Sequence, residues 1–261
     1  MIGAICGDII GSVYEFGNIK TTDFPLFSAK SRFTDDSVMT VATMDTLLNN
    51  TSYVDNYKKW FHKYPHAGYG GMFKKWCASN DTNSYHSFGN GSAMRVSPVG
   101  LWCKSLEETL EEAKRSAEVT HSHPEGVKGA QATAAAIFLA RHSTSKEEIK
   151  SFIEENFQYD LDESLDSIRQ WYSFDVSCQG TVPQAIRSFI ESNSYEDAVR
   201  KSISLGGDSD TIACITGGIA EAYYGVPESI IKEASILLPT VFKKLINTFY
   251  VKCGVELNGL Q

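Results

Sequence analysis

TIACITGGIAEAYYG, residues 211–225, is the stretch that decides the fold, because it combines helical periodicity with many small side chains. A second stretch of the same kind, GVKGAQATAAAIFLA, occupies residues 126–140. Small side chains allow neighbouring helices to approach closely. We therefore expect these two helices to form the centre of a helical bundle.

Helical periodicity recurs along most of the chain, whereas few segments alternate like strands. The predicted helices cover residues 38–48, 106–117, 126–141, 146–157, 162–171, 183–191, 195–203, 211–224 and 227–237. Ser145 and Glu148 have the spacing of a capping box, and Pro183 and Pro227 are expected at first helical positions. The sequence therefore predicts an all-α fold, with room for one short strand whose position the pattern does not fix.

The composition is that of an ordinary globular protein. The chain has 261 residues, of which 42% are hydrophobic and 21% are charged, and no linker or low-complexity segment interrupts it. We therefore expect residues 1–261 to form a single domain. The formal net charge of −8 opposes a broad nucleic-acid-binding surface and attraction to anionic membranes, so an anionic ligand would need a pocket of its own.

The cysteines and the N-terminal segment indicate the cellular compartment. The six cysteines include no C-x-x-C pair, which is typical of reduced, buried thiols. The start of the chain, MIGAICGDIIGSVYEF, lacks a basic region and contains Asp8 and Glu15, which argues against a signal peptide. No apolar run approaches the ~20 residues of a membrane span. A cytoplasmic location without membrane association is therefore expected.

Two clusters of threonine and aspartate each stand directly before a predicted helix. The first is TDD at residues 34–36, and the second is GGDSDT at residues 206–211, where the glycines permit a tight backbone approach. Either cluster alone is also what a helix N-cap and first turn prefer, so capping is an alternative for each. Two such clusters in one chain make coincidence a weaker explanation.

Together the clusters offer four carboxylates and two hydroxyls, with no histidine or cysteine nearby. Hard oxygen donors of this kind suit Mg²⁺ or Mn²⁺ rather than Zn²⁺. Four carboxylates in one site would repel one another unless cations neutralised them. A pair of divalent ions about 3.5–4 Å apart would do so, and such pairs activate water and hold substrate oxygens.

Three further segments are candidates for chemistry. Glu15 is an acidic residue in a glycine-flanked segment, although a surface glutamate is an equal alternative. Gly89, Asn90 and Gly91 form a loop whose backbone N–H groups can face phosphate or ribose oxygens, although such a pattern is usually only a turn. His121 lies between two predicted helices, and we expect it to contact a ligand rather than a metal, because the other candidate donors are all oxygens.

Five segments carry a resemblance to a known family: GDIIGSVYE, FTDDSVMT, SFGNGSAMRVSPVG, the TH pair at residues 120–121, and LGGDSDTIACITGGIAEAYYG. In this order they resemble the ADP-ribosylglycohydrolase family, over residues 3 to about 224. The resemblance implies an orthogonal all-α bundle with a dinuclear magnesium or manganese centre in a cleft. It also implies a hydrolase that releases ADP-ribose from an ADP-ribosylated protein, nucleic acid or small molecule.

The resemblance also assigns residues to roles. The metal ligands that it implies are Thr34, Asp35, Asp36, Asp208, Asp210 and Thr211. The catalytic set that it implies is Glu15, Asp36 and Asp210, with Glu15 as the general acid or base. The substrate-binding set is Gly89, Asn90, Gly91, Met94 and His121. Some bacterial members use an extra aspartate in a loop whose counterpart here, PHAGYG at residues 65–70, contains no carboxylate, so that mechanism is not carried over.

Two other functions remain open on the sequence. A non-catalytic ADP-ribose-binding relative on the same fold would be favoured by loss of metal ligands, yet all six matching positions hold oxygen donors. A helical metal-dependent nucleotide phosphohydrolase is the other alternative. It is favoured less, because the chain has no adjacent His-Asp pair and no second acidic helix to match residues 106–117.

Overall fold

The chain is helical in the computed structural model, which describes residues 1–260. The helices are α1 Ile2–Gly11, α2 Asp35–Asn49, α3 Tyr53–Lys63, α4 Gly71–Ala78, α5 Gly91–Met94, α6 Ser97–Trp102, α7 Leu106–Glu118, α8 Pro124–Arg141, α9 Lys146–Phe157, α10 Leu165–Trp171, α11 Cys178–Ile190, α12 Tyr195–Ile203, α13 Ser209–Tyr224, α14 Glu228–Ile236 and α15 Thr240–Cys253. Within residues 1–260, β structure is limited to one isolated bridge between Gly89 and Ser177. The all-α prediction is confirmed, and the short strand allowed for is reduced to this bridge.

The two helices of small residues lie at the centre, as predicted. Helix α13 packs against α1, α8, α11 and α12, and residues 209–220 of it are all buried. Helix α8 packs against α5, α6, α7, α11 and α13. Both can accept several neighbours because alanine and glycine leave room on more than one face.

Helix α1 makes the closest approach to α13. Gly3, Gly7 and Gly11 recur every four residues and therefore share one face of α1. A Cβ atom added at Gly7 would lie 2.1 Å from the carbonyl oxygen of Ala213, and one added at Gly217 would lie 2.3 Å from that of Gly3. The two backbones are therefore in direct contact.

Two helices that were predicted to begin at a proline begin at other residues. Helix α11 begins at Cys178, well before Pro183, because the Ser177 side chain caps it by accepting a backbone N–H of the first turn. Pro183 therefore lies inside the helix, where it removes one backbone hydrogen bond. Pro227 is the N-cap of α14, which begins at Glu228, one position later than predicted. Both first-position predictions were wrong.

Several helices were not predicted, namely α1, α3, α4, α5, α6 and α15. Every residue of α1 is buried, so it has no polar face for a helical period to reveal. Helix α5 contains only four residues, which is too short for a periodic pattern. No helix within residues 1–260 is both long enough and apolar enough to span a membrane.

The contact between α1 and α13 predicts a strong effect of one added methyl group. In Gly7→Ala, the new Cβ would overlap backbone atoms of Ala213, which cannot rotate away as a side chain would. We expect a loss of about 1–3 kcal/mol or more in the free energy of unfolding, measured by urea titration. Gly71→Ala is the control, because no atom lies within 4 Å of a Cβ at that position. Equal stability of the two variants would contradict the packing described.

Candidate active site

A cavity of about 560 Å³ opens where the N-terminal ends of α2 and α13 meet the loop before α5. Every predicted site residue except Thr34 lines it. These residues are Glu15, Asp35, Asp36, Gly89, Asn90, Gly91, Met94, His121, Asp208, Asp210 and Thr211. The fold thus brings together segments that lie almost 200 positions apart in the sequence.

Thr34 lies beside the cavity and serves as the N-cap of α2. Its Oγ1 accepts a hydrogen bond from the backbone N–H of Asp36 at 3.3 Å, so the capping role that the sequence left open is real for this residue. The same hydroxyl donates to Oδ1 of Asp8 at 2.6 Å. Thr34 therefore caps α2 and binds the carboxylate of Asp8 at the same time.

Asp8 is the site residue that sequence reasoning missed. It is fully buried on α1 and accepts hydrogen bonds from the backbone N–H of Thr34 at 2.9 Å and of Ser37 at 3.1 Å. The hydroxyls of Thr34 and Ser37 also donate to it. A single carboxylate thus fixes the start of α2. The signal that could have revealed it is a lone aspartate in an otherwise apolar helix, which is rarely buried without a partner.

The second cluster is shaped by glycine and by one asparagine. Gly206 and Gly207 have φ angles of +73° and +75°, which side chains other than glycine rarely adopt. Asn18 binds Gly207 from both sides: its Nδ2 donates to the carbonyl oxygen at 2.9 Å, and its Oδ1 accepts from the N–H at 2.8 Å. Asp208 follows as the N-cap of α13, but its side chain caps nothing. Its carboxylate is therefore available to the cavity.

Polar contacts link the two clusters and the glycine loop. The Nδ2 of Asn90 donates to Oδ2 of Asp208 at 2.7 Å and to the hydroxyl of Thr181 at 3.1 Å. The hydroxyl of Thr211 donates to Oδ2 of Asp36 at 3.4 Å. The amide nitrogen of Asn90, predicted to bind substrate, is thus already engaged in holding Asp208.

His121 is buried beside the glycine loop. Its Nδ1 is 2.7 Å from the hydroxyl of Thr120, and a Cβ added at Gly91 would lie 3.1 Å from its Nε2. Burial lowers the pKa of His121 well below its usual value, so the imidazole is neutral. Because Gly91 has no side chain, the ring of His121 can lie against the loop with Nε2 toward it. A neutral imidazole can still form hydrogen bonds there.

The carboxylates form two overlapping groups. Asp8, Asp36 and Asp210 each offer an oxygen within 4.8 Å of the others, and so do Glu15, Asp208 and Asp210. Asp210 belongs to both groups. Asp35 belongs to neither, and its Oδ1 faces Gly68, where an added Cβ would come within 3.0 Å. The two groups therefore meet at Asp210.

Arg32 lies near enough to Glu15 to lower the pKa of that carboxyl, but the carboxylates of the cavity have no ion-pair partner in the described part of the chain. None of the ion pairs within residues 1–260 involves any of them. The Oδ1 atom of Asp36 is buried and has no hydrogen-bond partner among the described residues. A buried, unpaired carboxylate oxygen is costly unless something else binds it. The donors therefore fit a hard divalent cation.

The pKa values show the cost of this crowding. Burial raises the pKa of Asp36 well above its usual value, and repulsion from Asp8 and Asp35 adds to the effect. Burial, followed by repulsion from Asp36 and Asp208, does the same for Asp210. Burial and then Asp208 raise the pKa of Glu15 to about 7. A group with that value can both hold and release a proton near neutral pH.

Comparison with known proteins places this chain in the class of ADP-ribosyl hydrolases. The chain belongs to the ADP-ribosylglycohydrolase family, whose model matches residues 1–249. It is similar to ADP-ribosylhydrolase ARH3 of Homo sapiens, with 30% identity over 88% of this chain and 86% of that protein. ADP-ribosylarginine hydrolase Tri1 of Pseudomonas putida is 24% identical, over 90% of this chain and 73% of its own length.

A solved structure with the same fold is titled "ADP-ribosylglycohydrolase-related protein complex". It superposes with a TM-score of 0.65 and 22% identity, over 97% of this chain and 94% of that one. This likeness supports the fold alone. Together with the family match, it agrees with the all-helical architecture and with the family resemblance found in the sequence.

The raised pKa values predict how the metal-free protein responds to pH. Burial is the main cause that raises the pKa of Glu15 to about 7 and that of Asp35 to about 8. Because these groups titrate near pH ~4 in the unfolded chain, the folded chain binds their protons more tightly. Their contribution to stability is therefore fully present below pH ~4 and is lost as the pH rises toward the folded-state values.

In the presence of EDTA, the free energy of unfolding should fall more steeply between pH ~5 and ~8 in the parent than in Asp35→Asn. Urea titrations at four pH values measure the two slopes. Asp23→Asn is the control, since Asp23 is exposed and lies outside the cavity. Parallel curves for the parent and Asp35→Asn would show that the carboxylates are not coupled to folding in this way.

Proposed function

We propose that the chain is a divalent-metal-dependent hydrolase that cleaves the bond at the distal ribose of an ADP-ribosylated acceptor and releases ADP-ribose. The observation that carries the proposal is the unpaired, buried Oδ1 of Asp36, which lies among carboxylates without cationic side-chain partners. The family match supports hydrolysis of an ADP-ribosyl linkage. The carboxylate groups support the metal dependence.

The residues that would hold two Mg²⁺ or Mn²⁺ ions come from both clusters and are Thr34, Asp35, Asp36, Asp208, Asp210 and Thr211. Held by these residues, the ions would neutralise the carboxylates and would lower the pKa of an attacking water. Asp8 stands behind this set, because its oxygens already accept four hydrogen bonds from Thr34 and Ser37. We assign Asp8 to positioning Thr34 rather than to binding a metal.

Glu15 has the environment of the general acid or base. It is partly buried at the cavity wall beside Asp208 and Asp210, and its pKa of about 7 allows it to carry a proton at neutral pH. During cleavage, positive charge develops at the anomeric carbon as the leaving group departs. Glu15, which is not among the proposed ligands, donates a proton to the leaving group or takes one from water.

The glycine loop and its neighbours form the surface for the shared part of every substrate. Gly89, Gly91, Met94 and His121 line the same cavity as the carboxylates. The absence of a side chain at Gly91 makes room for the His121 ring, whose Nε2 would lie 3.1 Å from a Cβ there. We propose that these residues bind the ADP-ribose part of the substrate and that the acceptor lies outside them. The chain would act in the cytoplasm on an ADP-ribosylated protein, nucleic acid or small molecule.

The first test is release of ADP-ribose. Purified protein is incubated with a panel of differently linked ADP-ribosyl substrates and with nucleoside triphosphates, in Mg²⁺, in Mn²⁺ or in EDTA. We expect ADP-ribose to appear from at least one linkage with metal and not with EDTA. Phosphate release from triphosphates would instead support the phosphohydrolase alternative. ADP-ribose binding without turnover of any linkage would support a non-catalytic relative.

The second test separates the metal ligand from the proton carrier. Asp210→Asn removes charge and donor strength from the residue that both carboxylate groups share, so metal affinity and turnover should both collapse. Glu15→Gln keeps the shape, so it should retain metal and ADP-ribose binding while losing turnover by about 10²–10⁴-fold. Calorimetric titration and turnover measured on both variants decide between these outcomes.

Asp23→Asn again serves as the control and should behave as the parent in both measurements. Parental turnover in Glu15→Gln would show that Glu15 is not the acid or base. Binding of two metal ions with parental affinity by Asp210→Asn would show that the ligand set is wrong.

A further inference from the structure

Within residues 1–260, the ring of His121 makes a single hydrogen bond, between its Nδ1 and the hydroxyl of Thr120 at 2.7 Å. The other ring nitrogen, Nε2, lies beside the glycine loop, 3.1 Å from where a Cβ of Gly91 would be. Because His121 lines the cavity, Nε2 is the ring nitrogen that remains for a ligand. Whether Nε2 donates or accepts a hydrogen bond depends on which nitrogen carries the proton.

A buried arginine contacts the same hydroxyl. Nη2 of Arg95 donates to Oγ1 of Thr120 at 2.7 Å and to the carbonyl oxygen of Ser116 at 3.0 Å. Arg95 is 1% exposed, and its guanidinium lies 4.1 Å from the centre of the Tyr57 ring, so its position is fixed. An arginine side chain has donors and no acceptor. Oγ1 of Thr120 must therefore accept from Arg95.

This contact leaves the hydroxyl hydrogen of Thr120 for His121. A hydroxyl has one hydrogen and two lone pairs, and its second lone pair can accept from the phenol of Tyr85, which lies within hydrogen-bonding reach. An N–H at Nδ1 of His121 would instead point its positive end toward the charged guanidinium of Arg95. A lone pair at Nδ1 is therefore the favoured arrangement. Thr120 is fully buried, so water does not compete for this hydrogen bond.

The ring of His121 is also neutral and held in place. Burial lowers its pKa well below the usual value, and the charge of Arg95 lowers it further. A neutral imidazole has one N–H and one lone pair, so a lone pair at Nδ1 puts the proton on Nε2. The Tyr85 ring lies 5.9 Å from the imidazole at 60°, and the backbone N–H of His121 donates to the carbonyl oxygen of Ala117 at 2.7 Å. The Nε2 donor therefore has a fixed direction.

We propose that Thr120, held by Arg95, is a positioning residue that keeps the proton of His121 on Nε2 and directs this N–H toward an oxygen of bound ADP-ribose. The proposal rests on the proposed function, because that function assigns ADP-ribose to the cavity. The diphosphate and both riboses of ADP-ribose present oxygens that can accept the hydrogen bond. A donor that is oriented in advance loses less freedom when the ligand binds, and therefore adds more to the affinity.

The position of the proton can be observed by NMR of protein labelled with nitrogen isotope at histidine. The chain has six histidines, so the signals of His121 are assigned by their loss in His121→Ala. A protonated ring nitrogen and one with a free lone pair give well-separated nitrogen shifts. We expect the proton on Nε2 in the parent at neutral pH, with and without ADP-ribose. A proton on Nδ1, or an equal mixture of the two forms, would overturn the proposal.

Affinity for ADP-ribose is then measured by calorimetry in Mg²⁺. Thr120→Val replaces the hydroxyl with a methyl group of similar size, so it should weaken binding by roughly 3- to 10-fold, the value of one ordinary hydrogen bond. Thr120→Ser keeps the hydroxyl and should stay near the parent. Thr22→Val is the matched control, because Thr22 is exposed and lies outside the cavity.

A double-mutant cycle shows whether Thr120 acts through His121. His121→Ala should weaken ADP-ribose binding by roughly 5- to 30-fold, and adding Thr120→Val should weaken it no further. A threonine that only supported the fold would cause the same loss in both backgrounds. Equal losses, or parental affinity in Thr120→Val, would reject the positioning role. If urea titration shows that Thr120→Val does not fold, the parent's NMR signals decide the question.

Binding and hydrolysis are separate measurements, so this proposal and the proposed function can fail independently. A parent that binds ADP-ribose but hydrolyses no ADP-ribosyl linkage would reject the proposed function alone, and the cycle would still decide the role of Thr120. A parent that is an active hydrolase but shows equal losses in the two backgrounds would reject the role of Thr120 alone. A parent that does not bind ADP-ribose would reject both.

Discussion

The rest of the structure depends on direct backbone contact between α1 and α13. Gly3, Gly7 and Gly11 form the face of α1 that meets α13, and a Cβ at Gly11 would lie 2.6 Å from the Cα of Asp210. Any larger residue on this face would push the helices apart. Because the helices touch, Asp8 on α1 comes within reach of Asp210 at the start of α13. A packing constraint thus sets the geometry of a charged site.

Burying these carboxylates close together costs free energy in the folded protein. Asp8, Asp36, Asp208 and Asp210 are all buried, and burial raises the pKa of each. Hydrogen bonds from Thr34 and Ser37 to Asp8, and from Asn90 to Asp208, offset part of the cost. Helix N-termini at Asp36 and Asp208 favour the ionised forms as well. The remainder is what a bound cation would offset, so metal binding and folding would be coupled.

The sequence was most informative where local pattern and tertiary role coincide. The small residues of α8 and α13 predicted the centre of the bundle, and the candidate ligands of the threonine and aspartate clusters, Thr34 excepted, do line one cavity. Asp8 could not be found by the same reasoning, because its partners Thr34 and Ser37 are distant in sequence. Pro183 was placed wrongly at a helix start. The cap at Ser177 starts α11 at Cys178, so Pro183 lies inside the helix despite its preference for a first turn.

One exposed asparagine joins two segments of the cavity wall. Asn18 bonds the backbone of Glu15 on one side and that of Gly207 on the other. The first contact holds the segment that carries Glu15, while the second holds the turn that leads to Asp208. The positions of Glu15 and of the second aspartate cluster therefore depend on the same side chain.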